Sequence, residues 1–288
     1  MRSSNDRFNL KLLQEIDVKV GNLSNIITGC TILDNGKVLF SEFNLHGSTD
    51  RVTLNDSDGN YLCTVKLYRS EGSFYDITSI NTNRIAVSID SCISIVNIDT
   101  HNIVHKIKNG YGCCGITHCD DKPYYCSFKE GIRRSDLKNE TNQLLVPTKD
   151  VGRFSYISCD GNKLFYTSNT GTVTCCDMTG KEIWRFQDTS RLRSTRGTVV
   201  DNNGFMFVAD EKSGNIVVIS PDGNSSKEVY QISGPGAMCY DKYDNTILVC
   251  HSDNKASWFQ ISVDVYILYK YVQVINNRVI SLKLIINR

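Results

Sequence analysis

The sequence predicts an all-β fold: a six-bladed β-propeller of four-stranded antiparallel blades, its ring closed by the N-terminal strand. Three observations predict it. First, a phrase recurs six times in which a polar turn leads into a short apolar strand ending on a small residue. Asp34-Asn-Gly-Lys-Val-Leu-Phe-Ser41 and Asn202-Asn-Gly-Phe-Met-Phe-Val-Ala209 are two copies. The anchors Leu39, Ala86, Tyr124, Phe165, Phe207 and Leu248 are spaced by 47, 38, 41, 42 and 41 residues, the period of one propeller blade. Second, most copies carry a later turn between two further strands, as in Asp56-Ser-Asp-Gly59, Asp177-Met-Thr-Gly180 and Pro221-Asp-Gly223. Asp and Asn tolerate left-handed backbone and Gly adopts it freely, so these read as hairpins. Third, the two ends of the repeat array are complementary.

Taken in order, residues 11–20 form an orphan β-strand ahead of the first repeat, similar to the outer strands Tyr61–Leu67 and Ile103–Ile107. Each blade then reads as strand a, polar turn, strand b, loop, strand c, hairpin, strand d. In the fifth repeat these are Gly197–Val200, Phe205–Ala209, Ile216–Ser220 and Lys227–Gln231. The sixth repeat has strands a to c, Ala237–Tyr240, Thr246–Cys250 and Ala256–Ile261, and lacks the outer strand. The orphan strand supplies that position and removes the exposed edge. The tail is the alternative donor. The chain therefore divides into a leader of residues 1–10, a propeller of 11–261 and an off-pattern β-rich tail of 262–288.

Composition narrows the function. A formal net charge of +1 argues against a partner held mainly by phosphate neutralisation over the whole surface, and leaves room for one basic face. The opening Met1-Arg-Ser-Ser-Asn-Asp-Arg7 has no apolar signal core, so a cytoplasmic location and reduced thiols are expected. The twelve cysteines, among them Cys30, Cys92, Cys126, Cys239 and Cys250, then read as small hydrophobes. The apolar tail is interrupted by Asp264, Lys270, Arg278 and Lys283, so no membrane association is expected.

The fifth repeat, Val208-Ala-Asp-Glu-Lys-Ser-Gly-Asn215-Ile-Val-Val-Ile219, resembles the signature of the NHL repeat, a six-bladed propeller. The segments Thr28-Gly-Cys-Thr-Ile-Leu-Asp-Asn-Gly-Lys-Val-Leu-Phe40 and Ile16-Asp-Val-Lys-Val20 resemble the start of the NHL propellers that end tripartite-motif (TRIM-NHL) proteins of invertebrates. The resemblance covers about residues 11–261, and only the fifth repeat matches the signature well. RING, B-box and coiled-coil segments are absent from it, so ubiquitin-ligase chemistry transfers to no residue here. What the resemblance implies is a recognition module. It would hold a protein target for modification, or a structured RNA, on the face built by d-to-a connections and b-to-c loops.

Several constellations hold residue types that could do chemistry. Gly110-Tyr-Gly-Cys-Cys-Gly115 fits a dinucleotide fingerprint but leads into a strand, whereas pyrophosphate binding needs a helix N-terminus. It reads as a tight connection between blades. Cys113 and Cys114 are adjacent on a strand and face opposite sides, as do Cys175 and Cys176, which speaks against shared zinc. Asp56-Ser-Asp-Gly-Asn60 has the start of a calcium loop without its closing glutamate. Glu42, Asp90, Asp210 and His251, near the ends of strands b, are the candidates for a metal-dependent lactonase or esterase. Fold alone confers no such chemistry. No cofactor, no metal, no small-molecule substrate and no catalysis are expected.

The candidate binding residues lie on three neighbouring d-to-a connections: Lys108 and Tyr111, Lys149 and Arg153, and Arg191, Arg193 and Arg196. Arginine suits two-pronged capture of carboxylate or phosphate. A protein partner is the favoured reading, an RNA hairpin on the same face the alternative, and a metal-dependent hydrolase a third.

Overall fold

A computed structural model describes residues 8–263 except 22–24, 45–50, 66, 68–71, 139–140 and 169, together with 274–275 and 278–279. It is all-β: six four-stranded antiparallel sheets arranged as a propeller. Blade 1 holds β2 (Asn25–Ile32), β3 (Val38–Asn44), β4 (Arg51–Asn55) and β5 (Tyr61–Val65). Blade 2 holds β6 (Phe74–Asn81), β7 (Arg84–Ile89), β8 (Cys92–Asn97) and β9 (Asn102–Lys108). Blade 3 holds β10 (Cys113–Cys119), β11 (Lys122–Ser127), β12 (Gly131–Asp136) and β13 (Thr141–Pro147). Blade 4 holds β14 (Ile157–Cys159), β15 (Lys163–Thr167), β16 (Thr172–Asp177) and β17 (Glu182–Gln187). Blade 5 holds β18 (Thr195–Val200), β19 (Met206–Asp210), β20 (Asn215–Ile219) and β21 (Ser226–Gln231).

Blade 6 takes β22 (Pro235–Asp241), β23 (Thr246–His251) and β24 (Lys255–Val263) from the end of the array, and its outer strand, β1 (Phe8–Asp17), from the beginning. β1 pairs antiparallel with β24 from Phe8↔Val263 to Asp17↔Lys255. The ladder starts three residues before the strand read from the sequence and stops short of Val20, although the Val18 amide still donates to the Asn254 carbonyl. A bulge between Leu12 and Gln14 leaves Leu12 and Leu13 both exposed. The rest of β1 is tied in by Phe8, Leu10 and Ile16, all buried. The sequence-derived tail lies mostly outside the described residues. Its described part is a two-stranded ladder of Val274–Ile275 against Arg278–Val279.

The core is six wedges, each between two neighbouring blades. One wedge packs Leu39, Val52 and Leu54 of blade 1 on Ile77, Ile85 and Val96 of blade 2. Alternation along strands makes this possible, because each strand sends successive side chains to opposite faces. Cys113 therefore packs with Ile93 and Tyr125 between blades 2 and 3, while Cys114 packs with Cys126 and Ile157 between blades 3 and 4. Cys175 and Cys176 part in the same way. All twelve cysteines are free thiols.

The inner strands β2, β6, β10, β14, β18 and β22 follow one another around the axis and close back on the first. They approach so closely that a Cβ on Gly115 would lie 2.5 Å from the Tyr156 Cα. Only glycine fits there. Tyr156, just ahead of β14, reaches across the axis, and its hydroxyl donates to the Thr28 carbonyl at 2.5 Å. The channel is thereby crossed by a buried side chain.

Candidate partner-binding face

The chain runs up each strand d and over to the next strand a, so the d-to-a connections share one face with the b-to-c loops. Side chains at the ends of strands b shape these connections. The Glu42 carboxylate accepts hydrogen bonds from the Gly21 amide and the Asn25 side chain, both at 2.8 Å, and pairs with Arg51 at 3.2 Å. Asp90 accepts from the Ser73 amide at 3.0 Å. Asp210 accepts from the Arg193 and Ser194 amides at 2.7 and 2.6 Å and from the Ser213 amide at 2.8 Å. His251 stands 3.8 Å from the Asp253 carboxylate. Burial holds its imidazole below the usual range. Three of these four proposed metal-binding positions thus anchor the connection that precedes them. Among the described residues, no three His, Cys, Asp or Glu side chains stand where they could hold one ion. The Asp56 carboxylate likewise serves its own hairpin, accepting from the Asp58 and Asn60 amides.

The first of the three candidate connections follows β9. Asn109 is buried, and its side chain donates to the Ser127 hydroxyl at 2.9 Å and the Tyr111 carbonyl at 3.0 Å. The Phe128 amide donates to the Gly112 carbonyl. The glycine-rich segment is therefore a tight link near the axis. Tyr111 projects from it 55% exposed, with Lys108 exposed at the strand end.

The second connection, after β13, is sewn to the b-to-c loop of blade 3. The Thr148 amide donates to the Glu130 carbonyl, and the Lys129 amide to the Val151 carbonyl. Lys149 and Arg153 are exposed. The Arg153 guanidinium lies over the Phe128 ring at 5.8 Å from its centroid, and the Lys129 ammonium at 5.2 Å.

The third connection, after β17, is pinned by Leu192, which is fully buried. Its arginines differ. Arg191 turns sideways, donating to the Ser226 carbonyl and hydroxyl at 3.2 and 3.0 Å, with Asp188 at 3.7 Å. Arg196 lies inside β18 rather than on the connection; it donates through Nε to Glu211 at 3.0 Å and lies over the Phe154 ring at 4.2 Å. Arg193 is exposed and makes no ion pair among the described residues.

The structure thus brings Arg153, Arg193 and Arg196 onto one face with Phe128 and Phe154, leaves Lys108 at the end of β9 and Lys149 on the connection after β13, and occupies Arg191 and Arg196 with internal partners. Sequence reasoning missed Phe128, Lys129 and Phe154. Their signal was position: an aromatic-lysine doublet opening a b-to-c loop, and an aromatic next to Arg153.

No protein-family model matches the sequence, and no curated protein matches it. Solved structures do match. Virginiamycin B lyase from Staphylococcus aureus superposes with a TM-score of 0.62 at 15% identity, over 88% of this chain and 99% of that one. The likeness is one of fold. It also corrects one expectation. The sequence predicts a non-catalytic propeller, yet the fold it shares is also that of a lyase. Blade architecture is therefore no ground for denying catalysis to this chain. Among the described residues no helix is long and apolar enough to cross a membrane.

Proposed function

We propose that this chain is a recognition propeller of the NHL type that docks an acidic protein segment on its d-to-a face, across blades 3 to 5. In a tripartite-motif-like parent, such a segment would belong to the protein presented for ubiquitination. The observation that carries the reading is a pair of arginines each lying over an aromatic ring, Arg153 at 5.8 Å from the centroid of Phe128 and Arg196 at 4.2 Å from that of Phe154. A cation–π contact of this kind holds a guanidinium against the ring while its N–H groups remain able to donate. Arg196 has its edge filled by Glu211. Arg153 and Arg193 are exposed, with Lys129 and the exposed Tyr111 on the same face. A planar carboxylate fits such a fork.

Charge favours protein over RNA. The whole chain is close to neutral at +1, without the broad basic excess that phosphate neutralisation calls for. Nucleic acid affinity comes largely from many phosphate contacts.

The test is a titration of a fluorescent peptide rich in Glu and Asp with one aromatic residue, against an RNA hairpin as competitor. The peptide should bind, and Arg153→Glu with Arg193→Glu should weaken it at least tenfold. Undiminished binding to the double variant would refute the site. Tighter binding of the hairpin, with affinity falling steeply as salt rises, would replace protein by RNA as the ligand.

A further inference from the structure

Blades 3 and 4 meet at their inner strands, β10 and β14, and these run in step. The Gly115 amide donates to the Ser155 carbonyl at 2.9 Å. Four residues further along each strand, at the last position before its a-to-b turn, stand Cys119 and Cys159. The ladders hold both in place: Cys119 pairs with Lys122 across its turn, and Cys159 with Leu164. The turns themselves are tight, with Asp120, Asp121 and Gly161 at φ of 48°, 59° and 94°.

The two sulfurs share a hydrogen bond across the blade boundary. The Gly161 amide donates to the Cys159 Sγ as well, at 3.2 Å. Both side chains pack on Cys114, Ile157 and Leu164 in the wedge between these blades. Sulfurs that already touch need little backbone movement to bridge. Both residues are half-buried, and Cys159 lines the cavity at the axis between the a-to-b turns. Cys30 likewise shares hydrogen bonds with Cys239 and Cys250, but Cys30 and Cys250 are buried.

An oxidisable pair needs an accessible nucleophilic thiol and a second thiol beside it, which turns the first oxidation product into a disulfide. Here the hydrogen bond from Cys159 holds Cys119 below the usual thiol range, against burial and the neighbouring Asp120 and Asp160 carboxylates. Cys119 is the nucleophile and Cys159 the resolving thiol.

From the contact of these two half-buried sulfurs across one blade boundary, we propose that Cys119 and Cys159 form a reversible disulfide that fastens blade 3 to blade 4. The oxidant is a peroxide. The Cys119 thiolate attacks one oxygen of hydrogen peroxide and the O–O bond breaks. The hydroxide that leaves takes up the proton Cys119 released and becomes water, and Cys119 is now a sulfenic acid. The Cys159 sulfur attacks it, the S–S bond forms and the S–O bond breaks. The second hydroxide leaves with the Cys159 proton as water. Two thiols and one hydrogen peroxide thus become one disulfide and two waters. A dithiol returns the two electrons and two protons. The pair lies away from the d-to-a face and depends on no property of it.

The experiment treats the intact folded chain with a small molar excess of hydrogen peroxide. Remaining thiols are then capped with iodoacetamide in denaturant, and disulfides are mapped by mass spectrometry without reduction. The Cys119–Cys159 bond should be the first to appear, and dithiothreitol should remove it. In Cys159→Ser, oxidation should stop at a Cys119 sulfenic acid that dimedone labels at least tenfold faster than Cys63 or Cys92. In Cys119→Ser, Cys159 should take no dimedone. If no disulfide forms in the folded chain, if the first one joins Cys30 to Cys239 or any other pair, or if dimedone labels Cys119 no faster than Cys63, the proposal is overturned.

Discussion

The Tyr156 hydroxyl of blade 4 donates to the Thr28 carbonyl of blade 1, directly across the propeller axis. Adjacent blades are joined by apolar wedges, but this bond ties opposite ones. Tyr156 also packs with Ile27, Cys30 and Ala237 in the wedge between blades 6 and 1. Burial pushes its phenol well above the usual range, so it stays a donor at every physiological pH.

Tyr156→Phe keeps the ring and removes the donor. Leaving the buried Thr28 carbonyl short of a partner should cost about 1–3 kcal/mol. For a chain of this size, each kcal/mol lowers Tm by roughly 2–4 °C. Urea denaturation should show a lower midpoint with an unchanged slope. An unaltered midpoint would mean that the bond adds nothing.

Two glycines in one motif should respond oppositely. In Gly115→Ala the new methyl would lie 2.5 Å from the Tyr156 Cα and 2.6 Å from the Ser155 carbonyl, backbone atoms that cannot step aside. Overpacking of this kind costs about 1–3 kcal/mol or more. At Gly110 nothing lies within 4 Å of the new carbon. Gly110→Ala should be close to neutral. Comparing the two Tm values checks this directly.

Removing residues 1–17 takes away β1 and its buried Phe8, Leu10 and Ile16. It also bares the edge of β24. The truncated chain should elute from a sizing column as aggregate, since an unpaired edge templates further pairing. A monomer of undiminished stability would contradict closure by β1.

Asp76 should give stability a pH dependence. Burial raises its carboxyl well above the usual range, against the pull of the Ile116 and Ile77 amides that donate to it. The folded state therefore binds this proton more tightly than the unfolded one. Its contribution is fully present below the unfolded carboxylate value, about 3.9. It is lost as pH rises through the folded value. In Asp76→Asn that dependence is gone. The stability difference between wild type and variant should move in favour of wild type as pH is lowered from 8 to 5, read from urea midpoints. A difference constant with pH would show that Asp76 does not titrate in this way.

Much of the frame could be read from the chain because it rests on local rules. The turn before each strand b and the Gly59, Gly180 and Gly223 hairpins are short-range chemistry, and all three glycines take positive φ. The role of β1 followed from an unpartnered edge in the sixth repeat. The Tyr156–Thr28 bond spans 128 residues and has no periodic signal. Nor could the sequence tell that Arg196 faces Glu211, since the two meet only when a d-to-a connection settles beside a b-to-c loop. The expectation of a non-catalytic chain rests on the scatter of Glu42, Asp90, Asp210 and His251 and on the family resemblance, and it is the one the comparison with the lyase corrects.

The recognition face is tested most directly by amide hydrogen exchange on the chain with and without a saturating acidic peptide. Protection should appear in 109–112, 128–130, 149–154 and 191–196, and should vanish in the Arg153→Glu, Arg193→Glu double variant. Protection confined to the a-to-b turns, or unchanged exchange throughout those four segments, would contradict it.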